Sequence, residues 1–147
     1  MRTIQFRAKV KKTRAENAFG KKPDDGTWVT GDLHYYNTGH PHIHYDLNNH
    51  RISVDVDTIG QYTGMYDSKG KQIWEGDIIK ATNIEANPNL GKELLAYVCY
   101  DEEIAAFILK HTDGKHGGTL HKNNDCAMLE VVGNIYDNPE LLNKDKR

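Results

Sequence analysis

Apolar and polar residues alternate with period two in several short runs along this chain, the mark of strands with one buried face. Ile4, Phe6, Ala8 and Val10 alternate with Gln5, Arg7, Lys9 and Lys11. Residues 28–36 read as a second strand. Ile52, Val54 and Val56 alternate strictly with Ser53, Asp55 and Asp57 as a third. The densest stretch follows, from Gln61 to Ile79: strand, turn, strand, turn, strand. Tyr62, Ile73 and Trp74 suit a pleated, half-buried surface. Asp67-Ser68-Lys69-Gly70 is a turn of the kind that ends on a left-handed glycine, and Glu75-Gly76-Asp77 turns the chain again. Gly64, Gly70 and Gly76 are the expected corners.

Residues 94–100 and 104–110 are apolar strands joined by the acidic tip Asp101-Glu102-Glu103, and 126–135 is the last strand. Residues 13–25, 37–50, 83–92 and 112–125 read as connectors, the last glycine-rich and polar. Asn138 to Leu142 closes as a short helix, with Asn138 as cap, Pro139 at the first helical position and Glu140 at the positive end of the dipole. The pattern predicts a mainly β protein: a small SH3-like, open β-barrel with an N-terminal strand layer and a short C-terminal helix. At 147 residues this is a single domain, 1–147, with possible subdomains at 1–60 and 61–147.

Composition narrows the function classes. Apolar residues make up 37% and charged residues 27%, polar for a globular protein but well short of disorder. No run approaches the roughly 20 apolar residues of a membrane helix. The segment from Met1 to Arg7 lacks the apolar centre of a secretion signal. Cys99 and Cys126 sit in apolar runs at no metal or redox spacing, which predicts free thiols in a reducing cytosol. Charge is uneven. Residues 1–22 hold eight basic residues against one acidic, and the remainder holds 11 basic against 20 acidic. The basic segment reads as the solvent face of the first strand, a nucleic-acid arm, or a contact with an acidic surface.

The candidate chemistry is thin. His34, His40, His42, His44 and His50 fall close together. If residues 40–44 are extended, His40, His42 and His44 share a face at about 6.6 Å spacing, and two of them with Asp46 make a zinc-like or nickel-like set. No Cys-x2-Cys or His-Glu-x2-His spacing supports it. Histidines beside Tyr35, Tyr36 and Tyr45 in a polar connector are the plainer reading. Gly64 to Lys71 is not a phosphate loop, because five residues separate the glycines and Gln72 follows the lysine. Gly76 puts Glu75 and Asp77 in a turn, where Asp77 is expected to accept backbone N–H groups. The two serines, Ser53 and Ser68, lie in no nucleophile elbow.

Three segments together resemble the YopX-like family of phage and prophage proteins: Ile4 to Ala8, Thr58 to Gly64 through Glu75 to Ile78, and Val132 to Leu142. Gly26 to Val29 is similar to a segment in some of its members. Residues 33–51 and 112–125 depart from the pattern. The resemblance implies a mostly β fold, a phage or prophage origin and a bacterial cytoplasm, but no activity and no catalytic residue. The expectation is a non-enzymatic, cofactor-free accessory protein that self-associates and contacts a phage or host protein. The alternatives are a nucleic-acid-binding module using the basic N-terminal segment, and a metal-dependent enzyme using His40, His42 and His44.

Overall fold

In a computed structural model, residues 1–11, 23–37, 39–48, 50–83, 94–120 and 127–143 are described, and the chain divides into two compact units, Met1–Tyr62 and Thr63–Arg147. The protein is mainly β, as the alternation predicts. The expected basic positions Lys12, Arg14, Lys21 and Lys22, the loop around Pro88, and Cys126 lie outside the described residues.

The first unit holds β1 (Phe6–Lys9), β2 (Trp28–Tyr35), β3 (Pro41–His44) and β4 (Arg51–Ser53), and β5 (Gly60–Tyr66) begins in it. All neighbours are antiparallel, in the order β4-β3-β2-β1-β5. The ends of the four-strand run meet. Val10 bridges Val54, and Lys11 N–H donates to Ser53 O at 3.0 Å. The expected N-terminal layer thus curls around its own core of Ala8, Val10, Val29, Ile43, Ile52 and Val54. The alternation through Ile52 and Val54 holds, but it stops one step early. Asp55 accepts the Asp57 N–H at 3.1 Å and caps a single 3-10 turn, Val56–Thr58, which leaves Val56 exposed. A short carboxylate offering this local bond outcompetes continuation of the strand.

The second unit takes the rest of β5, then β6 (Gln72–Trp74), β7 (Asp77–Asn83), β8 (Leu94–Asp101), β9 (Ala106–His111), β10 (His116–Thr119), β11 (Ala127–Asn134) and the helix α1 (Glu140–Asn143). The order β10-β9-β8-β7-β11 makes an open antiparallel sheet. Its core is Ile73, Ile79, Ala96, Val98, Phe107, Leu109, Leu120, Leu129 and Val131. Gly70 and Gly76 carry φ of +80° and +85° at the two turns, as the sequence predicts, whereas Gly64 lies inside β5.

The β5–β6 turn covers the edge of β11. Asp67 Oδ2 accepts the Val131 N–H at 2.9 Å, Ser68 N–H donates to Leu129 O at 2.9 Å, and Lys69 pairs with Glu130. Three consecutive turn residues thereby occupy backbone and side-chain groups that an uncovered strand edge would offer to another chain. Residues 112–125 are not all connector: 116–119 form β10 against β9, with a bulge between His116 and Gly118, and Leu120 is buried. The Asn138 side chain does not cap the helix as expected. Its Oδ1 accepts the Asn134 N–H at 3.3 Å, back toward β11.

Candidate functional site

The register of β1 to β4 sorts the first unit's side chains onto two faces. Val29, Leu33, Ile43, Ile52 and Ala8 point inward. The alternate positions point outward: Arg7 and Lys9 on β1, Trp28, Thr30, Asp32 and His34 on β2, His42 and His44 on β3, and Arg51 and Ser53 on β4. Strand pairing sets His34 opposite His42, and His44 between Asp32 and Arg51.

The rings on this face pack against one another. The Tyr36 hydroxyl and His44 Nε2 share a hydrogen bond of 2.7 Å, and the His42 ring stands edge-on to Tyr36 at 5.0 Å between centroids. The His34 and His44 rings are 4.5 Å apart. The Arg51 guanidinium lies over the Tyr36 ring at 4.4 Å, a cation–π contact. Farther along β2, Arg7 and Lys9 lie over the Trp28 indole at 4.7 and 5.6 Å. At the Tyr36 end a cavity of about 560 Å3 opens, lined by Tyr35, Tyr36, Asn37, His42 and Arg51.

The candidate metal residues fall in different places. His42 and His44 are half-buried on β3, while His40 precedes the strand, exposed, and its carbonyl oxygen lies 3.1 Å from His42 Nδ1. Asp46 is engaged elsewhere. It accepts the His50 and Asn48 N–H groups and bonds the His50 ring at 2.6 Å, and these contacts hold its carboxyl below the ordinary range. Among the described residues no three His, Cys, Asp or Glu side chains converge as a metal would require.

The buried carboxylates serve the backbone. Asp77 Oδ2 accepts the Trp74 N–H at 2.8 Å, as expected for that turn. Asp67, only 8% exposed, accepts three N–H groups, from Lys69, Lys71 and Val131. Burial raises its pKa, yet the three bonds outweigh burial and the net shift is downward. Sequence reasoning places Asp67 in a turn but misses its bond to a strand 64 residues away.

Cys99 is a half-buried free thiol on β8, and burial pushes its pKa up more than the nearby Lys110 lowers it. Its alkylation by iodoacetamide at pH 7.5 is expected to be slower than that of a free model thiol. Mass spectrometry of the Cys99 peptide over time checks this, and labelling as fast as the model thiol contradicts it.

Compared with known protein families, the chain matches a family model described as YopX protein over residues 5–143. No curated protein matches it. No helix among the described residues is long and apolar enough to cross a membrane.

Proposed function

The chain belongs to the YopX protein family, and on that footing we propose that it is a phage- or prophage-encoded accessory protein of the bacterial cytoplasm that works by contact rather than catalysis. The observation that carries this reading is the placement of the rings. Tyr36, His34, His42, His44 and Arg51 are packed together on the outside of a small sheet whose own core is filled by aliphatic side chains. Packed, half-exposed aromatic and arginine side chains are the residue types that anchor recognition surfaces. Asp67 and Asp77, buried carboxylates of the sort an acid–base centre would employ, are instead engaged by backbone N–H groups.

The protein also self-associates under this reading, through the second unit's β8–β9 hairpin. Exposed Tyr100 and Ile104 flank the acidic Asp101-Glu102-Glu103 tip there, giving an apolar contact with a charged rim. Size-exclusion chromatography with light scattering, at low and high salt and up to high micromolar concentration, tests this. A mass above that of the monomer is expected, reduced by Tyr100→Ser with Ile104→Ser. A strict monomer at both salt concentrations removes self-association.

A further inference from the structure

Building on the reading of a contact protein, we propose that the outer face of β2, β3 and β4 binds single-stranded nucleic acid, with a base in the cavity at Tyr36 and a phosphate at Arg51. The chemistry of the lining sets the ligand class. Two phenols, a carboxamide, an imidazole and a guanidinium line an open depression of about 560 Å3, and among the described residues that line it there is no carboxylate. That volume falls in the range of about 300–1,000 Å3 typical of small-ligand pockets. The Arg51 guanidinium over Tyr36 adds to the aromatic layer, and bases stack on both ring and guanidinium surfaces. The N–H donors of a guanidinium form a planar fork that matches phosphate oxygens. The Asn37 amide offers a donor and an acceptor to a base edge.

The site is also held in shape before any ligand arrives. Tyr36 is fixed at its hydroxyl by His44 and along its ring by His42 and Arg51. A second aromatic-cationic layer, Arg7 and Lys9 over Trp28, stands on the same outward face. Trp28 and Tyr36 are eight residues apart, about 26 Å along a strand, so a strand of several nucleotides could engage both, as stacking sites of this kind do. Asp32 is the one carboxylate among the outward positions of β1 to β4 named above. A duplex hides its base faces, so a stacking surface selects the single strand.

The full chain is titrated against a fluorescein-labelled 12-nucleotide thymidine oligonucleotide at 50 mM salt, followed by anisotropy. A 12-base-pair duplex and a 12-residue polyglutamate peptide are run in parallel. Saturable binding to the oligonucleotide is expected, weakening as salt rises to 200 mM. Tyr36→Ala and Arg51→Ala should each raise Kd about tenfold, while Tyr36→Phe, which keeps the ring, should stay within about twofold. Circular dichroism checks that the variants fold. Tyr35→Ala, at a lining residue 59% exposed, substitutes for any that does not and should also weaken binding. The proposal is overturned by no saturable binding at 50 mM salt, by equal binding of the duplex, or by variants without effect. Polyglutamate bound as tightly, with the same dependence on Arg51, also overturns it and marks the face as a site for an acidic protein. Light scattering on the same samples separates the two readings: self-association without oligonucleotide binding sinks this inference and leaves the contact protein standing.

Discussion

Asp67→Ala is expected to destabilise the second unit by about 3–5 kcal/mol, because it strands three N–H donors at once. Two of them, on Lys69 and Lys71, belong to an exposed turn and can recruit water. The third, on Val131, lies on the buried flank of β11 and has its bond to Asp67 as the edge contact there. That donor makes the loss large, since an unsatisfied buried N–H costs roughly 1–3 kcal/mol alone. Asp67→Asn retains one carbonyl oxygen but turns an NH2 toward a donor, so it should lose somewhat less. The charge adds a pH signature. The folded-state pKa of Asp67 is depressed, so its contribution is complete above the unfolded value, about 3.9, and disappears as pH falls through the folded value. Denaturant titrations between pH 7 and pH 2.5 should find wild-type stability falling below about pH 4 more steeply than that of Asp67→Asn. Parallel acid slopes would count against the assignment. Asp46, Asp113 and Glu130 also carry depressed pKa values, but they face solvent, where screening leaves such shifts little weight in stability.

What the sequence makes legible is what is decided locally. The turns at 67–70 and 75–77 follow from glycines at positive φ and from carboxylates that reach their own neighbours' N–H groups. The strand through Phe6 follows from alternation with one buried face, and those through Leu94 and Ala106 from apolar runs bounded by turn residues. Local reading fails where a competing local bond intervenes, as when Asp55 ends the run before Val56. It also fails where a strand exists only because a neighbour offers an edge. His116 to Thr119 has two glycines and no apolar period, yet β9 supplies the ladder and Leu120 the anchor.

The candidate site divides in the same way. That His42 and His44 share a face, with Pro41 and Ile43 buried behind them, is a consequence of alternation within four residues. That Tyr36 and Arg51 meet is not, because it depends on how β2, β3 and β4 are staggered. A basic N-terminal segment draws attention on charge alone. The ring cluster lies instead in residues 34–51, inside the family match over 5–143, where the histidines by themselves suggest a metal.

Gly31→Ala should be the most damaging single-carbon change in the first unit, at about 3 kcal/mol or more. A Cβ there would sit 1.8 Å from the His44 carbonyl oxygen and 2.8 Å from its carbon. Both are backbone atoms of β3, so no rotamer can relieve the clash and the strands must part. The pairing of Asp32 with His44 begins at that point, and the core side chain Ile43 is next along β3, 3.1 Å from the added atom. Separation there removes packing around Ile43 and displaces β3 together with His42, which lines the cavity edge-on to the Tyr36 ring. Stability and oligonucleotide binding should therefore fall together. Gly26→Ala is the control. Its φ of +77° costs an alanine about 1–2 kcal/mol of backbone strain, but nothing lies within 4 Å of the added carbon. Chemical denaturation of both variants decides the matter: a Gly31→Ala protein as stable as Gly26→Ala would mean that β2 and β3 do not approach as closely as this register requires.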